Sequence, residues 1–480
     1  MREELCFLPA VELRALIAEK KVSPVELMED VVARAQRLQP LLNCFITLCA
    51  DEAMDQARAA EKAVMAGRPL GRLHGIPYTV KDLVNTQGVR TTFGAVPLAD
   101  NVPTQDALAI ARLRSEGAIL LGKTTTPEFG SKCLTDSPLF GRTRNAWSAQ
   151  HTSGGSSGGA AVAVASGLAP LAVATDGGGS TRIPAACNGV VGFKQSIGVV
   201  PHSQAQDAIG NQTFVTPTTR TVADTALMLQ AMAGADPCDP WSAALPPQDF
   251  EASARPAPSL KGRRILFRAV PSGRMLSRDV ASAFDKGLAV LASLGAELEE
   301  MPAEGFDVEP MWRAINHTVW RARFLDLVAQ HRERLSATFV RQIESAAEFS
   351  AVQYQQAMFD RTALLRHVES LLSGADAIVM PTLTRTALPI AQDLFEPLQI
   401  DETALEGVRA NWFPWTMPFN MTGHPAVSLP CGFGADGLPI GIQMVGHLKR
   451  DADLLGLAAT FEQAYCFTNH WPSEASRQTA

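Results

Sequence analysis

The chain has 480 residues, 46% hydrophobic and 19% charged, with a formal net charge of -7: enough apolar surface for a large core, and no basic excess of the kind that marks nucleic-acid or anionic-membrane binding. Its eight cysteines (Cys6, Cys44, Cys49, Cys133, Cys187, Cys238, Cys431 and Cys466) form no CxxC pair and no metal-ligand spacing, so buried thiols in a reducing compartment are expected. The opening MREELCFLPAVELR has acids where a signal peptide needs an apolar run, and no stretch reaches membrane-spanning length, so a cytoplasmic protein is expected.

In chain order, Ser23 and Pro24 open the first clear helix: an N-cap serine, a proline at the first helical position, and a 3.6-residue apolar period through VELMEDVVARAQRL. Short apolar runs then predict strands at CFITLC (44–49), GIPYTV (75–80), AILLG (118–122) and LAVAT (171–175). Further runs follow at RILFRAV (264–270), DAIVMP (376–381), AVSLPCG (426–432) and IGIQMVG (440–446). Helical patterns such as DALAIARLRSEG (106–117), SRDVASAFDKGLAVLASLG (277–295) and DADLLGLAATFEQAY (451–465) lie between them. The alternation implies an α/β sheet covered by helices on both faces. Residues 236–263, rich in Pro, Ala, Asp and Ser, read as a surface connection, and residues 311–372 as helical without strands.

Two glycine clusters stand out, SGGSSGG at 153–159 and DGGGS at 176–180. Gly and Ser together are the usual composition of a flexible tether, but AAVAVASGLAPLAVA (160–174) joins these two and is too apolar to be solvated. A helix beginning at Ser157 or Gly158 and a strand running into DGGGS fit better, with glycines that let backbone N–H groups turn toward one point. Such a cradle suits a phosphate or an oxyanion. Neither cluster is followed by Lys-Ser or Lys-Thr, and neither has GxGxxG spacing with a downstream acid, which disfavours a nucleotide. The hydrolytic alternative, a serine nucleophile among its own oxyanion donors, needs a base. Of the histidines only His151 lies near the clusters, and no GxSxG elbow is present. Lys81, following GIPYTV and preceding Asp82, is the other candidate, since burial would favour its neutral amine; a lysine at a strand end is otherwise a solvated one.

HGIPYTVKD (74–82) with Lys81, SGGSSGG with Ser156 and ATDGGGSTRIPAA (174–186) with Ser180 resemble the motifs of the amidase signature family. GAILLGKTTTPEFG, LFGRTRNAW, GVVGFK, TRTVAD, GHPAVSLPCGF and GLPIGIQMVG extend the likeness in order along the chain. The resemblance implies one amidase domain over 1–480, built on a twisted mixed sheet. Signature-bearing core would occupy 8–235 and 413–466, and a variable, mainly helical substrate-side region 236–412. It also implies a Ser-cisSer-Lys triad: Ser180 as nucleophile, Ser156 as a bridging serine after a cis bond from Gly155, and Lys81 as base. Ser157 is the rival to Ser156. Backbone N–H groups of Gly177, Gly178, Gly179 and Ser180 would hold the oxyanion, and no cofactor or metal is implied. Asp176 and Arg182 would pair to shape the loop, or form an ordinary surface ion pair. Ser153 stands where a proline is often found, and Gln195-Ser196-Ile197 replaces a common Pro-Thr-x.

For the substrate, NWFPWTMPFN (411–420) offers Trp412 and Trp415, with Gln399 nearby in the variable part, as walls of an apolar pocket; the aromatics are otherwise core. No fixed cationic or anionic anchor is visible. The likeness is greatest to broad bacterial acylamidases, including aryl-amide and urethane hydrolases. It is less to the A-type subunit of the tRNA-dependent amidotransferases or to a non-catalytic, partner-binding relative. A small-molecule amide or carbamate is the expected partner, nucleic acid and membrane are not, and a monomer or homodimer is expected.

Overall fold

A computed structural model describes residues 4–243, 245–467 and 470–473. Among the described residues fifteen strands are found: β1 (Phe45–Leu48), β2 (Pro77–Lys81), β3 (Ile119–Thr124), β4 (Asp136–Ser137), β5 (Gly141–Arg142), β6 (Leu171–Asp176), β7 (Val191–Lys194), β8 (Phe214–Thr219), β9 (Arg264–Phe267), β10 (Glu297–Glu300), β11 (Ala377–Pro381), β12 (Leu398–Ile400), β13 (Thr403–Leu405), β14 (Ala426–Phe433) and β15 (Pro439–Val445). Eleven of them form one mixed sheet in the order β1-β3-β2-β6-β8-β7-β14-β15-β11-β9-β10. The ladders of β2 with β3 and β6, and of β9 with β10 and β11, are parallel; the others are antiparallel. The pairs β4/β5 and β12/β13 stand apart as small ribbons.

Most of the sheet is buried on both faces, polar residues such as Lys81 and the threonines of β8 included. β2, β3, β8, β11 and β15 are buried at every residue. The helix Gly158–Ala165, GGAAVAVA, is also buried throughout, as the composition of the 160–174 segment requires. Small side chains let it lie directly against its neighbours: a Cβ on Gly159 would sit 2.5 Å from Thr125 N and 2.6 Å from Cys44 O. Ser23 closes a full capping box on the helix Pro24–Leu42. The helical region comprises Glu309–His331, Ala337–Ser345 and Ala351–Leu372, the first packed on both of the others.

Three sheet strands are absent from the sequence reading, for identifiable reasons. β7 (VGFK) is broken by Gly192 and ends in Lys194, so it shows no continuous apolar run. β8 (FVTPTT) carries Pro217, which lacks an N–H; its ladder with β7 covers only Val191/Thr219 and Gly192/Thr218 and stops before the proline. β10 reads ELEE, an edge strand with no apolar alternation. Among its described residues the segment 236–263 carries only the short helix Phe250–Ser253 and one 3-10 turn, as a surface connection should. None of the described helices is long and apolar enough to cross a membrane.

Candidate active site

β2 ends in Lys81, β6 ends in Asp176, and the 153–157 loop feeds the buried helix that follows it. A hydrogen bond from Ser157 N to Ser180 O, 3.1 Å, ties the two glycine clusters together. Lys81 is fully buried between them. Its Nζ donates to Ser156 Oγ at 2.7 Å, Ser157 Oγ at 2.8 Å and Thr175 Oγ1 at 2.8 Å. Burial drives the amine's pKa well below that of an ordinary lysine, and the charge of Asp176 only partly opposes this. The Gly155-Ser156 peptide bond is cis. Gly155 admits no side chain, since a Cβ would fall 2.7 Å from Cys133 C.

The two serines beside Lys81 differ in setting. Ser157 is completely buried, and its hydroxyl also donates to Thr175 O at 3.1 Å. Ser156 and Ser180 both line a cavity; Ser157 does not. His151 lies outside this cavity, half-buried with Nδ1 2.9 Å from Ser148 Oγ. His202 is on the wall, its pKa pushed down to about 4 by burial, and shares no hydrogen bond with either serine.

In a trans peptide the C=O and N–H point in opposite directions, so a donor that fixes one aims the other. Every peptide of the 176–180 turn is fixed in this way. Asn420 Nδ2 donates to Asp176 O (3.0 Å), Trp312 Nε1 to Gly177 O (2.9 Å), Thr416 Oγ1 to Gly178 O (2.6 Å) and Ile183 N to Gly179 O (2.7 Å). Of the N–H groups on the opposite ends, that of Gly179 donates to Asp176 Oδ1 at 2.7 Å. Gly179 lies off the cavity wall, so it leaves the set of candidate oxyanion donors. The N–H groups of Gly177, Gly178 and Ser180 have no partner among the described residues, and all three residues line the cavity.

Asp176 and Arg182 form a buried pair, not a surface one. Both are fully buried; Arg182 Nε and Nη2 lie 3.0 Å from the two carboxylate oxygens. Arg182 also donates to Gln443 Oε1 (2.8 Å) and Asn420 Oδ1 (2.6 Å), and Thr181 N donates to Asp176 Oδ2 (3.2 Å). Burial alone would raise the Asp176 pKa; the Arg182 charge and the hydrogen bonds outweigh it and hold the carboxyl well below the usual range. The unusual neighbours are accommodated away from the chemistry. Ser153 Oγ donates to Thr143 O at 3.3 Å, Gln195 Nε2 to Val215 O at 2.8 Å, and Ser196 N to Asp451 Oδ1 at 2.6 Å.

The cavity measures about 210 Å³, and its aromatic wall is Phe93, Phe129, Trp312, Trp320, Tyr354 and Phe413. Trp412, Trp415 and Gln399 are not part of it. The two tryptophans are fully buried in a core cluster, where Trp415 Nε1 reaches Ala269 O at 3.1 Å; Gln399 lies exposed on the β12/β13 ribbon, its amide on Asp401 O. The whole of 411–420 is buried in and between two short helices, and composition could not say that Phe413, not its tryptophan neighbours, faces the cavity. Trp312, Trp320 and Phe129 sit far from that segment in sequence and carry no local signal of a shared cavity.

A mixed sheet that buries a lysine against paired serines under a glycine turn has the architecture of amide hydrolases. The family model named Amidase matches residues 26–455. An acylamidase of Rhodococcus erythropolis is 34% identical over 98% of both chains. The A-type subunit of the glutamyl-tRNA(Gln) amidotransferase of Moorella thermoacetica is 33% identical, over 96% of this chain and 97% of its own. A solved bacterial aryl acylamidase, described as an amidase signature enzyme, superposes with a TM-score of 0.88 at 29% identity, covering 97% of this chain and 99% of its own. The chain belongs to the amidase signature family and is a hydrolase of amides.

Arg182→Met leaves Asp176 buried without its cation, and removing one partner of a buried pair costs about 3 to 5 kcal/mol. Denaturant unfolding should register that loss at neutral pH; a change below about 1 kcal/mol would show that the pair is dispensable. Because the folded pKa of Asp176 is depressed, its contribution is complete above the unfolded carboxyl pKa of about 3.9 and fades as pH falls below it.

Proposed function

We propose that this chain is a serine amidase that acts on apolar acylamides, aryl acylamides foremost, and on carbamates, through an acyl-enzyme on Ser180. The observation that carries the reading is the neutral-favouring burial of Lys81 within 2.7 Å of Ser156, beside a cavity that Ser180 also lines. Lys81 takes a proton from Ser156 as Ser156 takes one from Ser180, whose oxygen attacks the carbonyl. The N–H groups of Gly177, Gly178 and Ser180 receive the oxyanion, each worth on the order of 3 kcal/mol in such a site. Ser156 returns the proton to the leaving nitrogen, and water reverses the relay to release the acid. Asp176, Arg182 and Gly155 act by position only. We place the whole chain in one catalytic domain, with the helices of 309–372 supplying the substrate side through Trp312 and Trp320.

A fluorophosphonate should label the protein once, on Ser180, and Ser180→Ala should abolish labelling. An adduct on Ser156 or Ser157 with Ser180 untouched would overturn the assignment. The same experiment on the isolated chain separates an amidase from a relative that works only with partner proteins.

The base makes its own demand. Protonated Lys81 cannot accept a proton, so turnover should rise with pH through an ionisation below that of an ordinary lysine and stay high above it. Lys81→Met should lose several orders of magnitude in kcat while still folding, since members of a relay act as a unit. Near-normal turnover with an unchanged pH profile would return the role to a histidine.

A carbamate offers Ser180 the same trigonal carbonyl and the turn the same developing oxyanion, so discrimination falls to the wall. Apolar walls separate groups of similar shape by only about 1 to 3 kcal/mol per methylene. Arylamine release from an N-aryl carbamate should therefore accompany anilide turnover; none, where the anilide turns over freely, would restrict the enzyme to amides.

A further inference from the structure

One group on the cavity wall has no part in the relay. Arg409, in the short helix Val408–Trp412, lines the cavity and is only 8% exposed. Its guanidinium lies 5.3 Å from the centroid of the Trp312 ring, and its Nη2 donates to Gln342 Oε1. Gln342 satisfies one N–H of five and brings no charge. The other wall cations are differently placed: Lys132 pairs with Asp136 at 2.8 Å, and Arg323 is exposed at the mouth. Asp207, the one acid on the wall, is itself exposed and bound to the N–H groups of Ile209 and Gly210. Among the described residues Arg409 has no ion pair; the Glu309 carboxylate acts on it only through space, and the Arg313 charge opposes that.

A buried guanidinium normally finds a carboxylate, because an uncompensated charge is costly away from water. Its planar fork matches a carboxylate in shape as well as charge. Arg409 faces a cavity instead, so the group that completes it is one that enters. Trp312 fixes where: its Nε1 holds Gly177 O, and its ring lies 3.0 to 3.2 Å from where a Cβ on Gly178 would be. Arg409 and the glycine turn thus share one indole, a short chain apart. We propose that Arg409 is a specificity-determining residue that binds a carboxylate carried by the substrate at a distance from the scissile bond. The inference rests on the amidase reading above, and it replaces the expectation of a pocket without an ionic anchor.

The test is a ratio. On the acyl side, kcat/KM is measured for succinanilic acid and for 4-methylpentananilide, in which isopropyl replaces the carboxylate. On the amine side, the pair is 4-acetamidobenzoate and 4-isopropylacetanilide. In at least one pair the wild type should favour the carboxylate by about tenfold or more, the return expected of a charge-assisted hydrogen bond, through a lower KM. Arg409→Met should bring that ratio to about one or below, and Arg409→Lys, which keeps charge but not the fork, should restore part of it. A ratio cancels any general loss of activity, and fluorophosphonate labelling of Ser180 reports that the variants are folded. The proposal falls if neither carboxylate is favoured by the wild type, or if Arg409→Met leaves the ratio intact. Failure of the neutral anilides and of labelling would instead count against the amidase reading itself.

Discussion

The carboxylate of Asp176 and the guanidinium of Arg182 meet fully buried, and the position of the glycine turn follows from how they are satisfied. Two charges removed from water are tolerable only when nearly every lone pair and N–H is used. Asp176 accepts from Gly179 N, Thr181 N, Arg182 and Asn420; Arg182 reaches Gln443 and Asn420 in turn. The partners lie 238 and 261 residues from Arg182 along the chain. The turn at 176–180 is therefore shaped by β15 and by the helix Met417–Thr422 as much as by its own glycines. The same carboxylate acts on Lys81, opposing in part the effect of its burial, so one charge organises both ends of the site.

Lys81 is not alone in being a buried lysine. Lys123 is wrapped by Val84 O, Thr86 Oγ1 and Thr91 Oγ1, with its pKa pushed down to about 8 by burial. Lys194 is held well below an ordinary lysine by burial, rests 4.0 Å from the Phe214 ring centroid and donates to Gln195 O. A depressed pKa is common to all three and distinguishes none. What separates Lys81 is the chemistry of its acceptors: two are serine hydroxyls, one of which opens to a cavity. Lys123 and Lys194 tie backbone carbonyls and threonines together, a mechanical task.

How much of this was legible depended on whether the signal was local. LAVAT and IGIQMVG announce β6 and β15 because continuous apolar runs between turns have few other uses. The meeting of Lys81 with Ser156, and of the 153–157 loop with the turn that carries Ser180, was legible because each sits in a short motif with its own glycines or apolar run. β8 was hidden by Pro217, and β10 by a composition set by its place at the sheet edge. The use of Gly179 N–H within the turn depended on where Asp176 folds back, which three adjacent glycines do not reveal. The cavity wall was least legible: Phe129, Trp312, Trp320, Arg409 and Phe413 converge from distant segments, and only tertiary packing makes them neighbours.

The ends of the sheet bear on how the molecule survives in a crowded solution. An open strand invites a second chain to add to it, and an eleven-stranded sheet has two such strands. At one end β10 presents Glu297, Glu299 and Glu300, with Arg264 on Glu299 and Arg268 on Glu300, so a second copy approaching in register would set like charges against each other. At the other end the carbonyl of Ile46 in β1 is occupied by Arg90 Nη2 at 2.6 Å, while Arg90 Nε holds Thr47 Oγ1. Repulsion guards one rim and a side-chain plug the other. The acidic run that conceals β10 from a hydrophobic reading is thereby also the feature that makes this edge a poor template for a second chain, a property of the crowd of copies and invisible in any one catalytic turnover.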